Sequence, residues 1–424
     1  MKNLLFILTQ FLSELGSTIT NFGIILWINS KNPNVLTFSL LSISVFLPKI
    51  VFGIIIGSII DRMEKKKLIL IADFLIGLSS LVLFILFKLD KVNIPLIILL
   101  NFISGIFSCI QDSSKGVLKT IIFSNDEYIK FNGLISFLSG VSMLLSPIIG
   151  AFLYFNIGME NIIIIDILTF LIASIFLFNM NIPKENILTS KINLKKIWND
   201  FQFSINEVKK IKELKTLILF YSLVKLFSGM TYFSLISPLI LQRTENNGEI
   251  LGFVNMFLGL GFILGGISVS IFKFNISKEK IIYISIAFSF LCGDLFLAFG
   301  RNNVVWYLGA FFASYFIPFS DANKAYIWKD KIKQENRGRI FAYRNTLESL
   351  SRPIGMLLGG LIVEYSFQGI VKNNFQLIEL YFGNTKGGAI ALLFVFTGVL
   401  GFCVCSYSLL KIIKRESIKA LSQT

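Results

Sequence analysis

The chain has 424 residues, of which 54% are hydrophobic and only 15% are charged, and its mean hydropathy is +0.74. This composition excludes an ordinary soluble domain and indicates an integral membrane protein. The complete absence of histidine also excludes imidazole as a proton shuttle or a metal ligand, so any proton carrier must be a carboxylate.

Apolar stretches of about 20 residues, long enough to cross a hydrocarbon core of roughly 30 Å, recur along the chain. They do not alternate apolar with polar residues, which excludes a transmembrane barrel. The predicted fold class is therefore all-α integral membrane, with about twelve transmembrane helices. The predicted spans lie near 4–29, 36–60, 67–87, 94–112, 131–155, 160–180, 215–241, 250–272, 280–299, 303–323, 340–364 and 387–411.

The net charge of +15 follows from membrane topology. Basic residues concentrate after the even-numbered spans, and the opposite loops carry few of them. These residues are Arg62, Lys65, Lys66, Lys67, Lys115, Lys119, Lys130, Lys329, Lys331, Lys333, Arg337, Arg339, Lys411, Lys414, Arg415 and Lys419. The asymmetry predicts a multi-pass protein of the cell membrane with both termini in the cytoplasm. The lipid bilayer is the expected surrounding, and no nucleic-acid partner is expected.

The cysteines do not indicate a disulfide framework or a metal site, because Cys109, Cys292, Cys403 and Cys405 all fall inside predicted spans. The sequence contains no metal-ligand cluster and no nucleophile elbow. We therefore predict no catalytic residues, no metal and no enzymatic activity.

The two halves of the chain resemble each other. Residues 14–22 and 225–233 match within the first and seventh spans, and Asp112 has a counterpart in Asp321, 209 residues later. Two homologous six-helix bundles related by pseudo-symmetry are the simplest account. The predicted domains are an N-terminal bundle at 1–180, a cytoplasmic linker at 181–214 and a C-terminal bundle at 215–424.

Within the linker, Ile197, Phe201, Ile205 and Val208 recur at helical spacing. This pattern predicts an amphipathic helix with Trp198 on its apolar face, lying at the inner membrane surface. A solvated lead-in to the seventh span is the alternative.

Several charges lie deep within predicted spans, where one charge costs from about 2.5 kcal/mol to several times that. Glu14 and Lys225 fall at matching depths, close to the bilayer midplane. Arg344, Glu348 and Arg352 form a stripe at i, i+4 and i+8. The alternative for Glu14 and Lys225 is a structural ion pair that locks the halves together.

We predict a coupling and substrate site formed by the deep charges of the spans, and Glu14 is its expected protonatable carboxylate. The members are Glu14, Lys225, Arg352, Glu348 and Lys49. The basic residues of this set outnumber its acidic residues, and this excess of positive charge favours a neutral or acidic substrate. Asp73, Asp166 and Asp294 fall nearer the ends of the third, sixth and ninth spans and are interpreted as structural.

Polar and aromatic residues within the spans could line a cavity for an amphipathic substrate through stacking and a few hydrogen bonds. The candidates are Asn21, Asn101, Tyr221, Tyr232 and Tyr315. Aromatic side chains at the membrane interfaces are equally expected as anchors.

The segment between the second and third spans has a glycine, three residues, an aspartate and an arginine, at Gly57, Asp61 and Arg62, followed by three lysines. It resembles the loop signature of the major facilitator superfamily. The resemblance implies that Gly57, Asp61 and Arg62 are gate residues; a stop-transfer cluster that sets topology is the alternative. We assign the matched residues after spans four and ten to the same gate. They are Asp112, Lys115, Asp321 and Lys324.

Further stretches are similar to the drug-efflux and macrolide-efflux branch of this superfamily. They are 11–17, 146–151, 166–171 and 337–342. The resemblance implies the major facilitator fold and a secondary active transporter that exports amphipathic organic compounds, such as a drug, a macrolide-like compound or a natural product, by alternating access. We expect a proton gradient as the energy source, with Glu14 as the protonatable group, no cofactor, and a monomer. A metabolite importer of the same fold and a non-transporting membrane sensor are the alternatives.

Overall fold

The computed structural model describes residues 2–31, 34–60, 63–123, 125–182, 194–272, 275–333, 336–367, 382 and 386–421. These residues form helices and short connections, and none of them is in a strand. They group into two compact units, Met1–Leu194 and Lys195–Thr424. The boundary between the units falls inside the segment 181–214 that the sequence predicts to be a linker.

The described residues of the first unit form five long helices. They are α1 (Lys2–Lys31), α2 (Val35–Ile60), α3 (Lys65–Lys88), α4 (Ile94–Ile122) and α5 (Asn125–Asn179). Gly158, with φ 79° and ψ 169°, interrupts α5, so this helix contains both the fifth and the sixth predicted spans. Glycine adopts this positive φ without the steric cost that a side chain would incur.

The second unit contains shorter and more interrupted helices. They are α6 (Leu194–Lys210), α7 (Lys212–Met230), α8 (Ile236–Arg243), α9 (Gly248–Ile271), α10 (Lys278–Phe288), α11 (Leu295–Phe299), α12 (Asn303–Tyr315), α13 (Ile317–Lys331), α14 (Arg337–Leu361) and α15 (Lys386–Leu421). A π-helical turn, Ser289–Asp294, joins α10 to α11, and a second one, Ile362–Phe367, follows α14.

The described helices fit the predicted number of spans. Eight helical segments of the described residues are long and apolar enough to cross a membrane. One of them belongs to α5, which contains two spans, and another, Lys278–Phe299, comprises α10, the π-helical turn and α11. The other predicted spans correspond to helices that are broken or charged. The seventh is divided between α7 and α8, the tenth between α12 and α13, and α14 carries the charged stripe.

Asparagine side chains begin three of the spans. Asn93 accepts a hydrogen bond from the backbone N–H of Leu96 at 2.9 Å, and Asn302 accepts one from Val305 at 2.9 Å. Asn247 accepts from two backbone N–H groups at the start of α9, at 3.0 and 3.1 Å. These caps satisfy N–H groups that have no partner inside the helix. All three lie at the side that the charge asymmetry predicts to be external.

The apolar core of the first unit holds α1 against α5. Ile19 and Ile28 of α1 pack with Met159 and Ile162 of α5, and all four side chains are almost fully buried. Because the same two helices carry Glu14 and further polar side chains, this core positions the polar groups described below.

The linker segment contains the helix that its apolar spacing predicts, α6. The ring of Phe201 stacks on Trp198 at 6.0 Å and meets the ring of Tyr343 on α14 edge-on at 5.0 Å. The apolar face of α6 thus packs partly against its own unit. Whether the helix also lies on the membrane stays a prediction.

The predicted orientation can be tested by cysteine labelling. We expect Lys91→Cys, in the exposed connection after α3, to react with an impermeant maleimide added to intact cells. Ser417→Cys, on the exposed end of α15, should react only after the cells are permeabilised. The wild-type chain, whose cysteines lie within spans, provides the background, and the reverse labelling pattern would invert the topology.

Candidate functional site

A cavity of about 580 Å³ lies within the first unit, a volume suited to a small organic ligand. Six of the residues predicted from the sequence line its wall. They are Glu14, Asn21, Lys49, Asn101, Asp112 and Lys115. Asp112 and Lys115, which we assigned to the gate, thus share a cavity with Glu14 and Lys49, which we assigned to the coupling site.

One part of the cavity wall carries a group of opposite charges. Lys49 Nζ lies 2.9 Å from Asp112 Oδ2, and their side chains are 40% and 59% exposed. Such an exposed ion pair contributes little to stability. Lys115 interacts electrostatically with Asp73, Asp112 and Glu14. The pair and its neighbour therefore set the local charge of the cavity more than they hold the helices together.

Glu14 is exposed in the same cavity. Ser139 Oγ of α5 donates a hydrogen bond to Glu14 Oε2 at 3.4 Å. One turn further along α1, Thr18 shares hydrogen bonds with Ser142 at 3.2 Å and Ser146 at 2.6 Å. The carboxylate is thus accessible, while the hydroxyl groups beside it tie α1 to the first half of α5.

The cavity contains a second carboxylate, Asp166, that sequence reasoning interpreted only as structural. Ser17 Oγ donates to Asp166 Oδ1 at 2.9 Å, and Ser80 Oγ donates to Asp166 Oδ2 at 3.3 Å. Ser17 follows Glu14 by three residues, so both lie on one face of α1. The spacing relates Ser17 to Glu14, whereas only the structure relates Asp166 to this face.

In the second unit a buried carboxylate lies between two lysines. Glu348 Oε2 on α14 is 3.2 Å from Lys225 Nζ on α7 and 2.6 Å from Lys324 Nζ on α13, and the Glu348 side chain is 1% exposed. Lys324 Nζ also lies 3.7 Å from the ring centroid of Tyr221. The structure thus brings together Lys225, Glu348, Lys324 and Tyr221 of the predicted residues.

Close helix packing makes this ion-pair cluster possible. A Cβ atom on Gly355 of α14 would collide with the backbone oxygen of Leu226, and one on Gly229 of α7 would collide with that of Arg352. Only glycine permits this approach, and the approach places Lys225 within reach of Glu348.

The two arginines of the predicted stripe lie over aromatic rings. The Arg352 guanidinium is 3.8 Å from the ring centroid of Phe233, and that of Arg344 is 4.9 Å from the centroid of Phe341. Asp321 is exposed on α13 and interacts electrostatically with Lys324 and with Lys225. With two arginines and two lysines near two carboxylates, the neighbourhood is cationic.

Lys225 therefore has a carboxylate partner within its own unit that the sequence did not predict. Periodicity relates Glu348 to residues of its own helix, whereas the structure pairs it with lysines of two other helices. The predicted pairing of Lys225 with Glu14, which belongs to the first unit, stays a prediction.

Two of the predicted cavity residues take part in hydrogen bonds between helices. Tyr232 donates to Asp294 Oδ1, and Tyr315 donates to Ser268 Oγ at 2.9 Å. Both hydroxyl groups have partners that hold the helices of the second unit together. The described contacts thus give these two residues a packing role.

The described residues include only part of the predicted gate signature formed by Gly57, Asp61 and Arg62. Gly57 lies within α2, close to its end at Ile60, whereas Asp61 and Arg62 lie outside the described residues. Their role in a gate stays a prediction.

An ion-pair group lies at the predicted cytoplasmic ends of three helices of the second unit. Glu213 at the start of α7 contacts Arg415 of α15 and, at 3.1 Å, Lys331 of α13. The hydrogen bond from Arg415, and after it the one from Lys331, lower the pKa of the Glu213 carboxyl, although partial burial opposes them. The carboxylate thus stays ionised and links these helix ends.

Comparison with known proteins gives matches along most of the chain. The family model described as Major Facilitator Superfamily matches residues 6–356. Macrolide efflux protein A of Streptococcus pyogenes is 25% identical over 360 residues, which cover 84% of this chain and 87% of that protein. The protein of the same name from Enterococcus faecalis is 26% identical over 327 residues, which cover 76% of this chain and 98% of that protein. The crystal structure of the nucleoside transporter NupG matches with a TM-score of 0.67 at 11% identity, over 96% of this chain and 98% of that one.

Proposed function

Because the chain belongs to the major facilitator superfamily, and is therefore a transporter with that all-helical membrane fold, we propose that it exports amphipathic organic compounds by alternating access. The export is driven by the proton gradient, and Glu14 is the carboxylate that binds and releases the coupling proton. The working unit is a monomer in the cell membrane with both termini in the cytoplasm.

The observation that carries the direction and the substrate class is the similarity to two proteins named for macrolide efflux. The similarity to the first covers 84% of this chain and is not confined to one motif. The similarity to NupG is a likeness of fold and does not extend the proposal to nucleosides.

The charges within the second unit support a neutral or acidic substrate. In this unit, Lys225 and Lys324 share the buried carboxylate Glu348, and two arginines and one further carboxylate, Asp321, lie nearby. Among the described residues, Oε1 of Glu348 is buried without a hydrogen-bond partner. A buried acceptor of this kind favours a ligand that supplies a hydroxyl or amide donor, because an unmet buried acceptor is costly.

Expression in a bacterial strain deleted for its own efflux pumps tests the proposal. We expect the wild-type chain to raise the inhibitory concentration of macrolides several-fold and to lower their accumulation inside the cells. Addition of a protonophore should restore accumulation, because it removes the gradient that drives export.

The two alternative functions, a metabolite importer and a non-transporting membrane sensor, would give different results in the same strain. An importer would increase accumulation of its substrate, and a non-transporting sensor would leave accumulation unchanged for every compound tested. The Glu14→Gln variant, at matched expression level, is the control for effects of overproducing a membrane protein.

A further inference from the structure

Asp166 is a buried carboxylate that opens on the cavity of the first unit. Its residue is 6% exposed, and it lies on α5 beyond the Gly158 interruption, in the wall that also contains Glu14. A carboxylate within a membrane span is costly and usually persists where it faces a partner, water or a ligand. The contacts of Asp166 distinguish between these cases.

Hydroxyl groups supply the contacts of the Asp166 carboxyl group. Ser17 of α1 bonds one oxygen and Ser80 of α3 bonds the other, at 2.9 and 3.3 Å. No lysine or arginine of the described residues forms a salt bridge with it, in contrast to Glu348. A hydroxyl can donate to a carboxylate and can also accept from a protonated carboxyl group. The arrangement therefore accommodates both protonation states.

The charged groups around Asp166 are few. Glu14 is the acidic residue of α1, and Asp73 is the acidic residue of α3. Asp73 accepts hydrogen bonds from Gln111 of α4 and from Ser174 of α5. Ser174 lies two turns beyond Asp166, about 12 Å further along α5. The cavity is also lined by the Lys49–Asp112 pair and by the lysines of α4, Lys115 and Lys119. Among the described residues, Asp166 thus has no adjacent cation to hold it ionised.

A similar arrangement in the second unit provides an internal comparison. Asp294, in the π-helical turn, accepts hydrogen bonds from Tyr232 and, at 3.0 Å, from Thr397 of α15. Asp294 is 0% exposed. The two carboxyl groups share hydroxyl donors and burial, but Asp166 has access to a cavity and Asp294 is sealed.

We infer that Asp166 is a second proton-binding site, which exchanges its proton with water through the cavity of the first unit. The inference rests on the proposed proton-coupled function, in which two carboxyl groups, Glu14 and Asp166, then line one cavity. Burial without a cation favours the protonated carboxyl group, and entry of water or a cation into the cavity favours release. Asp166 is the buried member of the two and Glu14 the exposed one.

Infrared difference spectroscopy of the purified full chain in lipid nanodiscs tests this without any substrate. We expect acid-minus-alkaline spectra of the wild type to contain a protonated carboxyl band that Asp166→Asn lacks. Asp166→Glu should restore a titrating band at a different frequency. In deuterated buffer, the band assigned to Asp166 should shift promptly.

Asp294→Asn is the matched control, because it removes a buried carboxyl group that has hydroxyl donors but no access to the cavity, and it should leave the titrating band intact. If Asp166→Asn does not fold, Ser17→Ala and Ser80→Ala should each shift the titration midpoint of the band. Persistence of the band in Asp166→Asn, or its insensitivity to both serine changes, would overturn the inference. Loss of the band on replacing choline chloride with sodium chloride at constant pH would indicate a sodium site instead, and would also overturn it.

The infrared result is independent of the proposed export. A chain that shows no drug efflux but retains the Asp166 band contradicts the proposed function alone. A chain that exports macrolides but lacks the band contradicts the second proton site alone.

Discussion

Replacement of Glu348 with alanine is expected to destabilise the protein by about 3–5 kcal/mol, because two lysines then lose their shared carboxylate. Glu348 is 1% exposed, and the same oxygen contacts Lys324 at 2.6 Å and Lys225 at 3.2 Å. Without it, two ammonium groups remain within a few ångströms of each other. The measurement is the free energy of unfolding of the purified protein in mixed micelles, by titration with a denaturing detergent.

Asp330→Ala is the matched control for this change. It also removes one carboxylate of α13 or α14, but Asp330 is exposed, so its effect should stay within about 0.5 kcal/mol of the wild type. An equal and small effect of both substitutions would show that the Glu348 cluster is solvated and does not depend on the pairing described.

A combined variant separates pairing from packing. If the cost comes from uncompensated charge, then Glu348→Met together with Lys225→Met and Lys324→Met should recover most of the lost stability. If recovery does not occur, the Glu348 side chain stabilises the unit mainly through its packing against α7 and α13.

The positions of most spans could be predicted from the sequence, because the bilayer requires apolar segments of a definite length. The interruptions could not. Span seven breaks after Met230 although its nearest proline is Pro238, and the break is stabilised by contacts such as Ser234 Oγ to Gly229 O at 2.8 Å. Pro147 and Pro353, conversely, lie inside helices that continue past them.

The candidate residues could be predicted more readily than their partners. Burial cost alone identifies Glu14, Lys225 and Glu348 as unusual within apolar segments. The pairing of Glu348 with Lys225 depends on how closely α7 and α14 pack, which the glycines of these two helices permit. The sequence indicates only a structural role for Asp166, because its position along the chain does not reveal the cavity beside it.

Replacement of Glu14 with glutamine is expected to reduce gradient-driven export about tenfold or more, a loss of ~1.4 kcal/mol or more. Glutamine keeps the size of the side chain and can still accept the hydrogen bond from Ser139 Oγ, but it cannot carry a proton. Substrate exchange without a gradient should therefore persist. The measurement compares uptake of a radiolabelled macrolide by inverted vesicles, with and without an imposed pH gradient, with exchange at equal pH.

The stability of the Glu14→Gln variant distinguishes coupling from structure. Because Glu14 is exposed and its one described side-chain hydrogen bond is long, the substitution should leave the free energy of unfolding nearly unchanged. Glu160→Gln, the same substitution at an exposed residue of α5 beside Gly158, should preserve both stability and coupled export. Full gradient-driven export by Glu14→Gln would contradict the coupling role of Glu14. Asp166 would then be the carboxylate of the first-unit cavity that could still couple proton movement to transport. Loss of exchange as well as export would instead mean that Glu14 binds the substrate directly.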